Sequence, residues 1–428
     1  MSESHATGER SSSTMRRAAL AFFGGTGSGR KETVRITDVT TIKLLYRMDV
    51  AMADAIHYMP ERPTLLVRVH TDAGIVGLGE AAAYGGFLES TESLILGELR
   101  TTLLGQDPFM VERLWSMMTT RAHQRGRRGM LLMAVSGVDI ALWDIIGQAT
   151  NTPLYRLLGG FRDRLTAYAS AGFYAADKGP ADLANEVAGY AERGFRWIKI
   201  KVGRNPDVML NPLHLMPAND YAVATLEEDV ERVRVARAAI GPRVKLAIDA
   251  NNAWTAPVAL GFMRRVDDQN IAWLEEPVAT EDLAGSAEVA RAIDTPVAGY
   301  ETETGLAGFR DLIAHRAVDI VQPDVIWTGG ITECRKIAAL AQAHNLPVIP
   351  HVFSSAVATI ANMHFIASLP HGGLLEFDQN PNPLRNDLFE EPIMVDPDGT
   401  VALPDRPGLG VTLNQATIAR FGVERHAP

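Results

Sequence analysis

Lys245-Leu246-Ala247-Ile248-Asp249 and Ile271-Ala272-Trp273-Leu274-Glu275 are short β-rich runs ending on a carboxylate, and Glu301 follows a third, Pro296-Val297-Ala298-Gly299, after Tyr300. The carboxylates are evenly spaced, with 275 − 249 = 26 and 301 − 275 = 26 residues between them. Such an interval holds one strand and one crossover helix, the repeat unit of a parallel sheet. Further runs of this kind lie at 165–170, 197–202, 320–323, 347–351 and 374–377. Eight runs separated by helical stretches specify a closed α/β barrel, and barrel enzymes build their sites at the C-terminal ends of the strands. Stacked in phase on that rim, Asp249, Glu275 and Glu301 would surround one point with oxygen donors, a set that suits Mg²⁺ and leaves coordination positions for substrate oxygens. Any one of them alone reads as a helix cap or a solvent-facing acid.

Other rim positions carry ionisable side chains too. Lys199 and Lys201 alternate on one strand and point to one face, inward if Ile198 and Ile200 face the helices. Mutual repulsion and partial burial are expected to depress at least one lysine pKa towards neutrality and give a general base. Asp324 and His351 end the sixth and seventh runs, where a carboxylate on one ring nitrogen would fix the tautomer of the imidazole. Glu376 ends the eighth run; held neutral, it could donate a hydrogen bond to a developing enolate oxygen. Taken singly, each reads as an ordinary surface or satisfied polar residue.

Outside the barrel, residues 34–82 are strand-like, with 64–69 and 74–80 flanking the turn Thr71-Asp72-Ala73-Gly74. Helical periodicity follows at 89–104, 108–119 and 131–148. Residues 1–31 are rich in Ser, Thr, Gly and Arg and read as a flexible tail. Met15-Arg16-Arg17 and the apolar residues after it lack the cleavage site of an export signal, and the glycines at 24–29 follow no strand, so neither an exported protein nor a phosphate loop is expected.

The 428 residues carry 41 Lys+Arg against 51 Asp+Glu, net −10, with no basic run to neutralise phosphates, so nucleic acid is not an expected partner. Hydrophobic content of 46% supports a sizeable core, and no uninterrupted apolar run approaches the roughly 18 residues of a membrane span. The single cysteine, Cys334, excludes an intramolecular disulfide and fits a cytoplasmic location. A homo-oligomer is the expected assembly.

The motifs resemble those of the enolase superfamily, in its mandelate racemase subgroup, from about residue 34 onward. The resemblance rests on Lys199-Ile200-Lys201, Asp249-Ala250-Asn251, Trp273-Leu274-Glu275-Glu276-Pro277, Glu301, Gln322-Pro323-Asp324, His351 and Glu376. Residues 136–144 and Pro407-Gly408-Leu409-Gly410 are similar to the helix before the barrel and to the closing segment. It implies an α/β fold, a (β/α)₇β TIM-like barrel at 161–390, with an α+β capping domain at 32–160 to which 391–428 return. It also implies one Mg²⁺ on Asp249, Glu275 and Glu301, with Mn²⁺ as a substitute, and proton removal next to a small substrate's carboxylate through an enediolate. Lys201 is then a base on one face with Lys199 beside it, His351 with Asp324 the acid or base on the other, and Glu376 the hydrogen-bond donor.

Trp327 stands where muconate-lactonising and dipeptide-epimerising relatives place a lysine, which disfavours those branches. The expected reaction is dehydration of an acid sugar to a 2-keto-3-deoxy acid. The alternatives are an isomerase, either an α-hydroxyacid racemase or a sugar-lactone cycloisomerase, and a non-catalytic binding protein. Substrate contacts are expected from Asn251 and from two capping loops through His57, Tyr58 and Tyr84. Two departures stand out: about twenty extra residues at 204–225, expected to overhang the site, and Tyr300 in place of a small residue.

Overall fold

The computed structural model describes residues 33–83, 88–121, 126–208 and 220–423. The tail 1–31, Tyr84 and the centre of the 204–225 insertion lie outside the described residues.

The chain begins with an antiparallel sheet in the order β3-β2-β1-β5, built from β1 (Ile36–Ala53), β2 (Tyr58–Thr71), β3 (Val76–Ala81) and the two-residue β5 (Tyr174–Ala175). The Asp72–Gly74 turn joins β2 to β3, as the sequence indicates. Helix Met130–Ala149 lies on β3 at unusually close range. A Cβ on Gly79 would stand 2.0 Å from the Gly137 carbonyl oxygen, and one on Gly77 2.0 Å from that of Ala141, so these positions admit no side chain. This helix is long and apolar enough to cross a membrane, with a mean hydropathy of 1.7, which an uninterrupted-run criterion misses because Asp139 and Asp144 punctuate it. As 83% of it is buried, its apolarity belongs to the core between sheet and barrel.

The second sheet is parallel and curled, in the order β10-β9-β8-β7-β6-β4-β11. Its strands are β4 (Arg164–Ala171), β6 (Trp197–Lys201), β7 (Lys245–Asp249), β8 (Ile271–Glu275), β9 (Val297–Gly299), β10 (Ile320–Val321) and β11 (Leu374–Asp378). The run at 347–351 forms only a bridge from Val348 to Val321, not the full strand expected. Pro347 and Pro350 remove two backbone donors there, so the ladder is limited to Val321 N–H on the Pro347 carbonyl and Ile349 N–H on the Val321 carbonyl. Ile198, Ile200, Leu246 and Ile248 pack outward under the helices, while Tyr168, Ala247, Trp273, Ala298, Ile320 and Ile349 fill the interior. The interior is therefore solid below and polar only at its mouth.

After β11 the chain adds β12 (Thr400–Ala402) antiparallel to β4 and then crosses to the first sheet. Leu154 N–H bonds to the Gly408 carbonyl, and Gly422 bridges Leu44.

Candidate active site

Strand register assembles the mouth. Lys201 is paired with Asp249 across β6–β7, and Asp249 with Glu275 across β7–β8. Period-two alternation then turns the side chains of Lys199, Lys201, Asp249 and Glu275 into the barrel. One oxygen each from Asp249, Glu275 and Glu301 lies within 4.8 Å of the others. Lys199 Nζ contacts Glu275, stands 2.9 Å from Glu376 Oε1 and 3.7 Å from Asp249 Oδ2; Lys201 Nζ contacts Asp249. Trp273 Nε1 (2.9 Å) and Gln322 Nε2 (3.0 Å) donate to the far oxygen of Glu275 and fix its plane.

On the opposite side, Asp324 Oδ2 lies 2.8 Å from His351 Nδ1. The other Asp324 oxygen accepts from Asn362 Nδ2 at 3.0 Å and Ile326 N–H at 3.1 Å, so the carboxylate holds the ring rather than swinging with it. His351 Nε2 faces Glu301 Oε2 at 3.2 Å. Burial disfavours charge on this ring, but Glu301, Asp324 and Glu376 outweigh it and push the imidazole pKa up to about 10.

Two electrostatic expectations are corrected. Burial acts to discharge both lysines, yet the carboxylates around them outweigh it: Glu275 and Glu376 hold Lys199, and Asp249 holds Lys201, above the ordinary lysine range. The repulsion argument counted the two ammonium groups and omitted their counter-ions. Glu376 is likewise not neutral. Burial opposes its charge, but Lys199, His351 and Lys201 hold it down at about 2, and it accepts from Val352 N–H at 3.0 Å.

The residues present fit a hard dication. Burial drives Glu275 up to about 7 despite Lys199, with Asp249 and Glu376 adding to it, and burial raises Glu301 as well, so three carboxylates share a desolvated space in which a dication would stabilise their charged forms. Asn251 Oδ1 is buried without a hydrogen-bond partner, an oriented group that a cation or substrate could engage.

Asn251 follows Asp249 on the rim with its N–H on Asp249 Oδ1 (2.9 Å). His57 sits on the β1–β2 loop with Asp54 Oδ2 3.0 Å from its Nδ1. Tyr58 packs edge-on against Tyr221 of the insertion, ring centroids 4.9 Å apart. Tyr300 is fully buried and its hydroxyl meets Ser286 Oγ at 2.9 Å. Sequence reasoning gave no role to Glu276, whose buried carboxylate accepts from Glu301 N–H (2.7 Å) and Asn252 Nδ2 (2.5 Å) and so sets the approach of the third acid. Two adjacent glutamates at a strand end were the available signal. Asp54 was also missed.

Residues 36–159 match the mandelate racemase/muconate lactonizing enzyme N-terminal domain, and 182–417 match the enolase C-terminal domain-like family. The chain is 37% identical to arabinonate dehydratase of Saccharolobus solfataricus over 90% of this chain and 99% of that one. It is 34% identical to D-galactarolactone cycloisomerase of Agrobacterium fabrum over 91% and 99%. An enolase from Bradyrhizobium, solved with magnesium and mandelic acid, superposes with a TM-score of 0.78 at 28% identity, covering 92% of this chain and 99% of that one. With both domains matched and the acid–base constellation assembled at the barrel mouth, the chain belongs to the mandelate racemase/muconate lactonizing enzyme family of the enolase superfamily.

Proposed function

We propose that the protein is a Mg²⁺-dependent acid-sugar dehydratase. The observation that carries this reading is the three-carboxylate cluster set between Lys201 on one side and the His351–Asp324 pair on the other. Mg²⁺ held by Asp249, Glu275 and Glu301 supplies the positive charge that acidifies the C–H next to a substrate carboxylate, and Mn²⁺, which takes the same oxygen donors, is expected to replace it.

The chain's own groups do the rest. Lys199, buried and paired with Glu376 and Glu275, is a fixed cation for the substrate carboxylate. Lys201, packed over the Phe173 ring at 4.9 Å, removes the α-proton on its face once Asp249 is shared with other positive charge. His351, its Nδ1 held by Asp324, exchanges a proton on the opposite face through Nε2. Glu376 holds Lys199 and the Val352 amide in place rather than donating a proton. Loss of the neighbouring hydroxyl as water gives an enol that tautomerises to a 2-keto-3-deoxy acid. The 34% identity to a cycloisomerase favours, as second reading, an isomerase that uses the same proton removal without loss of water.

Chelated enzyme restored with Mg²⁺ and given arabinonate, xylonate, galactonate, galactarate and galactarolactone separates these readings. A semicarbazide-reactive keto acid that disappears with EDTA is expected from a dehydratase. Solvent deuterium at C2 without keto acid would mark an isomerase, and neither event with any acid would overturn both.

A further inference from the structure

The β1–β2 loop carries a second carboxylate–imidazole pair, and the 204–225 insertion grips it. Asp54 is buried; its Oδ1 accepts the N–H groups of Ile56 (2.9 Å) and His57 (2.7 Å), and its Oδ2 lies 3.0 Å from His57 Nδ1. The buried Arg204 guanidinium donates to the carbonyls of Asp54 (3.1 Å), Ala55 (3.4 Å) and Tyr221 (2.8 Å). Tyr221 donates its hydroxyl to the Ala51 carbonyl at 2.5 Å, and β5 pairs with Met52 and Ala53. A turn-forming role accounts for Asp54 but not for the imidazole: the ring keeps 52% of its surface open, although one nitrogen is pinned. With Nδ1 engaged, Nε2 is the nitrogen offered to a ligand.

The loop packs onto the strand ends at the mouth: a Cβ on Gly203, two residues after Lys201, would stand 3.2 Å from Ala55 Cβ and 3.1 Å from the carbonyl oxygen of Ala250, the residue after Asp249. Asp54 is the largest influence raising the His57 pKa; burial opposes it, Glu301 adds to it and Lys201 subtracts, while Lys201 also helps keep Asp54 ionised. The Asp54 carboxylate therefore favours the charged form of an imidazole whose loop borders the strand ends that carry Lys201 and Asp249.

We infer that His57, held by Asp54 and braced by the insertion, protonates the hydroxyl that departs during dehydration, an inference resting on the dehydratase reading. In the step, a barrel base takes the α-proton and the C–H electron pair is left on the substrate. That pair forms the carbon–carbon double bond as the neighbouring C–O bond breaks with its electrons on oxygen. The His57 Nε2–H proton forms the new O–H bond of water, and the neutral imidazole regains a proton from solvent on its open side. His57 belongs in this step because it enters from the capping domain, leaving both barrel faces free to act at C2.

The test compares wild type, His57→Asn and Asp54→Asn in D₂O with Mg²⁺, on whichever of arabinonate, xylonate, galactonate and galactarate wild type dehydrates fastest. His57→Asn is expected to form keto acid about 10²-fold or more slowly, with KM little changed, while returning unreacted substrate deuterated at C2; added imidazole restores part of the elimination. Asp54→Asn, which keeps an acceptor for the loop amides, shows the same split with a smaller loss. Keto acid formed by His57→Asn at the wild-type rate, or exchange and elimination lost together in a variant with native circular dichroism, would overturn the inference. If wild type gives neither exchange nor keto acid with any of the four, the dehydratase reading fails first and the inference with it.

Discussion

Two regions of this molecule bury carboxylates, and they handle them in opposite ways. At the barrel mouth, Asp249, Glu275 and Glu376 face lysines and Glu301 faces His351. At the seam between the antiparallel sheet and the barrel, Glu80, Asp139 and Asp144 meet backbone N–H groups and uncharged side chains, and none forms an ion pair among the described residues. Glu80 accepts from Ser354 and Ser355 hydroxyls and, at 2.8 Å, from Ala358 N–H at the start of helix Ala356–Ser368. Asp139 takes both the N–H (2.9 Å) and hydroxyl (2.6 Å) of Thr332 at the start of helix Gly330–Ala343. Asp144 takes Leu78 N–H and Leu409 N–H, tying β3 to the closing segment. Burial with cations nearby keeps charge available for chemistry, whereas burial with dipoles alone fixes position. The two helices held this way follow Asp324 and His351 in the chain, so the seam sets the stage on which that pair works.

The largest expected effects fall on the mouth. Lys201→Met and His351→Asn should each lower kcat by about 10²–10⁴-fold with little loss of thermal stability, since each removes a proton-transfer group. If either variant lost stability and activity in parallel, the mouth would behave like the seam and the contrast would collapse. At the seam the order reverses. Glu80→Ala strands two hydroxyls and an amide and should cost about 1–3 kcal/mol of stability by denaturant melt, with a smaller effect on kcat.

The smallest and sharpest effect concerns pH. Burial pushes the Glu80 and Asp139 carboxyls up to about 7 and Asp144 up to about 6, against ordinary values of 4.5 and 3.8. A folded-state pKa above the unfolded one means that the native state binds more protons, so the associated stability is present below about pH 4 and is lost as pH rises towards 7. Asp139→Asn should therefore gain stability relative to wild type as pH increases across that window. A constant difference between the two proteins from pH 4 to 7.5 would show that Asp139 is ionised throughout.

Much of the barrel mouth could be read from sequence because a strand alternates with period two and ends at a definite residue. Asp249, Glu275, Lys199 and Lys201 come together by that rule, whereas Glu301 lies two residues beyond β9, out of phase with the inward Ala298, and its N–H is held by Glu276. Their charge states could not be read that way, since they depend on how many carboxylates crowd each ammonium group, a count that only the folded mouth supplies. Pro347 and Pro350 shortened a strand whose composition looked complete. The roles of Asp54 and Glu80 were hidden for another reason: a loop carboxylate bonding amides two and three residues on, or a strand-end glutamate reaching a helix 278 residues away, leaves no periodic trace.

The most direct test of the three-carboxylate centre is Mn²⁺ binding to chelated protein, followed by electron paramagnetic resonance. One ion per chain is expected for wild type and for His351→Asn, displaced by excess Mg²⁺ and lost in Glu275→Gln. Wild type that binds no Mn²⁺, or Glu275→Gln that binds it as tightly as wild type, would contradict a divalent ion held by Asp249, Glu275 and Glu301.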